Sequence, residues 1–472
     1  MLPNFVGVLP PPRPQDRDTS QQKPKRSPRG VTARLRVERG SRRFALTPTL
    51  LCVCGNTFRP ESETHGANMP DTEIAPEQAR QHEAPVSLHK LFEPLKVGPY
   101  TLRHRVVMGP LTRSRANRAG NIPSQLNACY YAQRATAALI ISEATQVSMQ
   151  GQGYAWTPGI HTAEQVEGWR HVADAVHDAG GLMFMQLWHV GRISHPSLQP
   201  DEMLPVAPSA IQPKAEAFIE NERGEGVVAP CVKPRALQVE EMPYLVRQYF
   251  RAARNAKAAG MDGVEVHGAN GYLLDQFLLS GTNHRTDEYG GSIERRAKLL
   301  FEVIETVCEV WGPEKVGVRL SPLGTFNDMH DDDPEATFSY VVEKLNRYGL
   351  AYLHIVNPAL AATGADVAFI ERAERMSQMI RRTYRGVLMV AGGFDVSSAE
   401  RWLEDGNADL IAFGRLFIAN PDLPERLRSH APLNSPDPST FYGGGERGYT
   451  DYPSLAQERG EAPRSVIDGR WR

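Results

Sequence analysis

From residue 91 onward, short apolar runs recur along the chain, each ending in glycine or polar residues. Eight of them stand out: Val106–Met108, Ala138–Ser142, Leu182–Leu187, Gly263–Val266, Val316–Leu320, Ala351–Val356, Val387–Val390 and Ala408–Phe413. Their hydrophobicity is continuous rather than alternating, which predicts strands covered on both faces. Between them, apolar residues return at three and four positions. Val166, Trp169, Val172, Ala173 and Val176 do so before Gly180-Gly181, as do Ile293, Ala297, Leu300, Ile304 and Val307, and then Ile370, Ala373, Met376, Ile380 and Tyr384. Strand–helix alternation predicts an α/β fold with a parallel sheet. Eight such units predict a closed (β/α)8 TIM barrel.

Two features flank this pattern. Leu91 to Arg105 carries Gly98-Pro99 between short alternating segments, which predicts an N-terminal hairpin. The connection from Leu187 to a helix starting near Glu240 is about fifty residues long and rich in Pro, Glu and Asn, so it predicts a capping excursion after the third strand. A helix follows Pro421, then the loop Thr440 to Gly445 and a polar tail. The expected organisation is an extension over 1–87, a barrel over 88–445 and a tail over 446–472.

Composition changes the picture mainly at the N-terminus. The first 45 residues carry eleven Lys/Arg against three acids, many prolines and no sustained periodicity. They read as a disordered tail or an upstream-extended start, with Met69 as an alternative initiator. The other reading is an organelle-targeting leader, against which the prolines count because they break an amphipathic helix. The whole chain has a formal charge of −2, 41% apolar and 23% charged residues. That balance offers no global attraction to nucleic acid or to an anionic membrane, and no apolar run reaches a membrane-spanning length. Cys52, Cys54, Cys129, Cys231 and Cys308 form no C-x-x-C pair. This disfavours zinc and iron–sulfur sites and suits a reducing, cytoplasmic compartment.

In a barrel, the residues just after each strand share one face. The fourth run delivers His267, Asn270 and Tyr272, bracketed by glycines; the first two can converge on one acceptor atom. Glycines after the seventh and eighth runs, Gly392-Gly393 and Gly414, with Arg415 beside the latter, predict a phosphate cradle; the alternative is a pair of tight turns. Arg319 needs an anion, either a ligand or a salt bridge to Glu265 or Glu143. Gln186 and Thr112 can donate to ligand carbonyls. Trp188 and Trp156 suit packing, and His189 and His195 suit loop roles. The acidic run Asp328 to Asp333 reads as a solvated helix start. No set has metal-ligand spacing, and no Gly-x-Ser-x-Gly nucleophile occurs.

The motifs Met108-Gly-Pro-Leu-Thr-Arg113, Ser142-Glu-Ala-Thr-Gln146, Gln186-Leu-Trp-His-Val-Gly-Arg192, His267 to Tyr272 with Leu273-Leu-Asp-Gln-Phe277, Asn283-His-Arg-Thr-Asp-Glu-Tyr-Gly-Gly291, Phe413-Gly-Arg415 and Thr440-Phe-Tyr-Gly-Gly-Gly445 resemble the Old Yellow Enzyme family of FMN-dependent ene-reductases. The likeness is greatest to its bacterial N-ethylmaleimide and nitrate-ester reductase branch, and it runs from about Leu91 to Leu455. It implies non-covalent FMN, with Pro110, Thr112, Ala144, Gln186 and Arg319 at the isoalloxazine and Gly392, Gly393, Gly414 and Arg415 at the ribityl phosphate. It implies that His267 and Asn270 grip the substrate oxygen, that Tyr272 is the proton donor, and that Tyr154, Trp188 and Tyr442 wall the pocket. NADPH would reduce the flavin, whose N5 would pass hydride to the β-carbon of α,β-unsaturated carbonyls, maleimides, and also nitro compounds or nitrate esters. Asn270 stands where members carry His or Asn, and Asn327 where some carry Gln. A barrel lyase or aldolase would need a Schiff-base lysine or a metal at a strand end. An iron–sulfur relative would need a cysteine cluster. A non-catalytic flavin-binding redox protein is the remaining alternative.

Overall fold

Eight parallel strands close on themselves in the computed structural model, which describes residues 90–357 and 366–460. The extension expected over 1–87 lies outside the described residues. In chain order the barrel strands are β1 (Val106–Met108), β2 (Ile140–Ile141), β3 (Met183–Trp188), β4 (Gly263–Gly268), β5 (Val316–Leu320), β6 (Tyr352–Val356), β7 (Leu388–Ala391) and β8 (Leu410–Phe413). β8 pairs with β1, and β3 with β4, so the sheet has no free edge. The expected (β/α)8 barrel is the observed fold. β2 is shorter than the apolar run predicts. The ladder nevertheless continues on both sides, from Ala138 N to Val106 O at 2.9 Å and from Ser142 N to Phe184 O at 2.9 Å.

The helices form where the spacing predicts them, and their ends are capped. The helix α1 (Gln125–Gln133) is followed by α2 (Ala163–Asp178), where Thr162 accepts from Gln165 N and the Gln165 side chain returns the bond. α3 is Met242–Ala258 and α4 is Lys298–Trp311. α5 (Pro334–Leu345) begins on Asp333, which accepts from Ala336 N at 3.0 Å, so the acidic run does end as a helix start. Asp331 departs from the solvated reading. It is buried against Ser280 N and Arg296. α6 (Val367–Thr383) and α7 (Val396–Glu404) are capped by Asp366 and Asp395.

The hairpin Leu95–Val97 with Tyr100–Leu102 plugs the N-terminal mouth of the barrel. Val97 and Leu102 pack with Leu139, Phe184, Tyr352 and Met389. That leaves the C-terminal face as the open end. Over it lies the excursion after β3, which carries an antiparallel hairpin, Glu216–Glu220 with Gly226–Pro230. The segment expected as a polar tail is anchored through its described part. Tyr449 is fully buried and stacks on Tyr130 at 4.0 Å, and Arg113 Nη2 donates to Gly448 O at 2.8 Å. Its composition is polar, yet one aromatic ring and a few backbone carbonyls suffice to fasten it. Among the described residues no helix is long and apolar enough to cross a membrane.

Candidate active site

The residues singled out after each strand all reach the C-terminal face. β4 is buried along its whole length, and its pairings put Glu265 opposite Gln186 of β3 and His267 opposite Arg319 of β5. Successive side chains of a strand alternate faces, so Glu265 and His267 share the barrel interior. Asn270 follows in the left-handed region, φ +59°, which asparagine tolerates better than most residues. Tyr272 then caps the short helix Leu273–Leu278.

Tyr272 is 1% exposed, and its hydroxyl lies 3.1 Å from that of Tyr154. Its ring meets Trp188 edge-on at 5.0 Å and His267 at 5.2 Å. Ala144, Tyr154, Trp188 and Tyr272 form one buried cluster with Ala217 and Cys231, which come from the capping excursion. Phe218 of the same hairpin lies 5.4 Å from Trp156 and 6.5 Å from Tyr442, so the third wall residue, Tyr442, faces the cap. The cap's residues were missed from sequence. Only the length of the excursion signalled them.

Electrostatics separate the polar groups. Burial, reinforced by Arg319 and His354, holds the His267 imidazole well below its usual range, so it is neutral. Burial pushes the Tyr272 phenol up to about 12, with hydrogen bonds from Tyr154 and Asn327 opposing the rise. Burial also acts to raise Glu265, but His354 and Arg319 outweigh it and hold this carboxyl below its ordinary value. Glu265 accepts from His354 Nδ1 at 2.9 Å and from Gln186 Nε2 at 2.7 Å. A carboxylate only accepts. One amide N–H of Gln186 is therefore committed to the protein, which leaves its second N–H for the donor role expected of this residue. Arg319 makes no ion pair to Glu265 or Glu143 among the described residues, although it lies close enough to Glu265 to lower its pKa.

Several buried polar atoms have no partner among the described residues. They include His267 Nδ1, Asn270 Nδ2, Arg319 Nε and Trp188 Nε1. Such atoms are rare in folded proteins because each costs its full desolvation, and these four follow or end strands at the C-terminal end of the barrel. At the opposite side of the rim, Gly392 and Gly393 follow β7 with φ of +150° and +87°. A Cβ on Gly392 would sit 2.6 Å from Asn357 O, so only glycine fits. Gly414 and Arg415 follow β8, and Gly109 N donates to Phe413 O at 3.0 Å, which places Pro110 and Thr112 beside them. Side-chain donors and acceptors on one side of the rim and glycines with an arginine on the other are the chemistry that would hold FMN, its ring at the former and its phosphate at the latter.

The model of the NADH:flavin oxidoreductase / NADH oxidase family matches residues 90–434. The chain belongs to this family, the Old Yellow Enzyme family. It is an oxidoreductase and an FMN flavoprotein on a TIM barrel. Old Yellow Enzyme relatives similar to it include 12-oxophytodienoate reductase 1 of Oryza sativa subsp. japonica, 45% identical over 375 residues, covering 78% of this chain and 93% of the relative. The solved structure of morphinone reductase superposes with a TM-score of 0.75 at 50% identity, covering 79% of this chain and 99% of that one. Morphinone reductase in complex with tetrahydroNAD superposes with a TM-score of 0.73 at 50% identity, covering 77% and 97%.

Further residues around this Old Yellow Enzyme site take supporting roles. Arg192 Nη2 donates to Asn327 O at 3.1 Å and Asp328 O at 2.8 Å. Glu143, next to Ala144, is fully buried and accepts from Tyr131 Oη at 3.2 Å and Arg113 N at 3.4 Å. Burial pushes its carboxyl up to about 7 against these donors. Arg113, despite its place in the first motif, turns away to hold Phe441 O and Gly448 O. His189 is buried, accepts from Gly191 N at 3.1 Å and is lowered to about 3 by burial, while His195 caps an exposed turn.

Proposed function

We propose that this protein is an NADPH-driven ene-reductase acting on activated C=C bonds of α,β-unsaturated carbonyls and maleimides, with nitro compounds or nitrate esters as further substrates. The observation that carries the reading is a pair of buried nitrogens without partners among the described residues, His267 Nδ1 and Asn270 Nδ2, at the end of β4 next to the buried Tyr272 phenol. Pro110, Thr112, Ala144, Gln186 and Arg319 would hold the ring of FMN, and Gly392, Gly393, Gly414 and Arg415 its phosphate. FMN, when bound, supplies the two-electron carrier between the nicotinamide coenzyme and the alkene.

The chain's own residues do the rest. Neutral His267 and the Asn270 amide donate to the substrate oxygen, where negative charge grows as the alkene is reduced. Tyr272, protonated at any physiological pH, delivers a proton to the α-carbon. Arg319 offsets negative charge at the reduced ring. Tyr154, Trp188 and the cap exclude water, which strengthens each of these interactions. The barrel and its loops are proposed to form one functional unit over 88–445, in a reducing compartment.

The test is an absorbance spectrum of the purified protein, then anaerobic titration with NADPH and with NADH, then turnover of cyclohexenone and N-ethylmaleimide. A flavin spectrum bleached by NADPH and restored by enone is expected. Bleaching without restoration by any enone would support a non-catalytic flavin protein instead. Tyr272→Phe is expected to slow alkene reduction about a hundredfold or more while flavin reduction stays near the wild-type rate. Equal loss in both half-reactions would remove Tyr272 from its role.

A further inference from the structure

We infer that Ser321 and Asp275 are positioning residues that hold the Asn270 amide in its substrate-gripping pose. The inference rests on the reading of Asn270 above and adds to it the machinery that aims the side chain.

Asn270 lies beyond the end of β4, so no strand ladder holds it. Its left-handed backbone must be imposed from outside. Ser321, just past the end of β5, supplies the first restraint, with Asn270 N donating to Ser321 Oγ at 2.7 Å. The same hydroxyl donates to Asp275 Oδ2 at 3.3 Å. Asp275 Oδ2 also accepts from Gly271 N at 2.8 Å. One carboxylate oxygen thus ties Gly271 directly and Asn270 through the serine. On the other side, Asn327 Nδ2 donates to Asn270 O at 2.8 Å. Asn327 is itself left-handed, φ +62°, with its carbonyl held by Arg192.

Both backbone polar groups of Asn270 are therefore engaged by side chains from the β5 end, while its side-chain Nδ2 has no partner among the described residues. Ser321 must accept and donate at once, which only a hydroxyl of that reach does. All four residues are buried, so water does not substitute readily for a lost partner. The geometry separates aiming, by Ser321 and Asp275, from contact, by Asn270.

The experiment uses the FMN-loaded full chain with Ser321→Ala, Ser321→Thr, Asp275→Asn and Asn270→Ala. The readouts are the dissociation constant of p-hydroxybenzaldehyde from its long-wavelength absorbance band, KM and kcat for cyclohexenone, and FMN affinity. Ser321→Ala is expected to raise the phenol dissociation constant and the enone KM about tenfold, with FMN affinity unchanged. Ser321→Thr, which keeps the hydroxyl, is expected to restore both. Asp275→Asn is expected to act in the same direction by a smaller factor. It serves as the test if Ser321→Ala does not fold. Wild-type phenol affinity in Ser321→Ala or Asp275→Asn, alongside weakened affinity in Asn270→Ala, would overturn this inference alone. Unchanged affinity in Asn270→Ala would overturn the underlying reading as well.

Discussion

A buried phenol is a weaker acid than a free one, and Tyr272 shows what that does for a proton donor. With its pKa pushed up to about 12, the neutral form dominates at every lower pH. The alkene step should therefore show no descending limb from this group between pH 6 and pH 10 in stopped-flow measurements. The gripping pair makes a separate contribution. His267→Ala with Asn270→Ala removes two donors aimed at one oxygen, and phenol affinity is expected to fall about a hundredfold, read from the loss of the long-wavelength band. Glu143 gives a stability signature of its own. Its folded pKa of about 7 lies above the ordinary 4.5. A raised carboxyl contributes stability below about 4.5 and loses it as pH climbs toward 7. Glu143→Gln carries no such penalty. Its melting temperature relative to wild type should therefore rise between pH 5 and pH 8, as differential scanning fluorimetry can report.

At the scale of elements, the turn after β4 is the most constrained part of the chain. Gly271 has φ +74°, and a Cβ there would lie 2.7 Å from Asn327 Cβ and 2.8 Å from Phe326 O. Both neighbours belong to the loop after β5 and cannot yield without moving Asn270. Gly271→Ala is expected to cost about 1–3 kcal/mol, lowering the melting temperature and abolishing phenol binding together. The strand positions were legible because parallel strands buried on both faces are mostly apolar along their length, as Val106 and Val107 or Ile140 and Ile141 are. The capping excursion was legible as a length. Which of its residues meet the pocket was not, because Ala217 and Cys231 reach Tyr272 through folding back of the chain, and neither carries a local pattern.

At the scale of the molecule, segments flanking the barrel on both sides in sequence are fastened to it. The backbone N–H groups of Lys90 and Leu91 donate to Glu400 at 2.7 and 3.0 Å. Toward the C-terminal side, Tyr449 stacks on Tyr130 with the Arg113 and Arg115 guanidiniums 5.0 and 4.5 Å from its ring centre, and Arg426 bonds Glu458 at 2.7 Å. Tyr449→Ala leaves a cavity between α1 and the first strand's loop and is expected to cost about 3–5 kcal/mol, measurable by urea unfolding. The same change leaves the pocket's donors in place, so the FMN spectrum of the folded fraction should be unaltered.

Periodicity alone settled that this chain builds eight strand–helix units, and strand-end motifs pointed to its family. Both are local signals, since apolar spacing and short motifs need no knowledge of distant neighbours. Three-dimensional packing decided the rest. It turned the Gln186 amide toward Glu265, took Arg113 away to the C-terminal segment, and brought Ser321 and Asp275 under Asn270. Those outcomes depend on which donor meets which acceptor across tens of residues, and hydrogen bonds between such partners leave no trace in the spacing of either one.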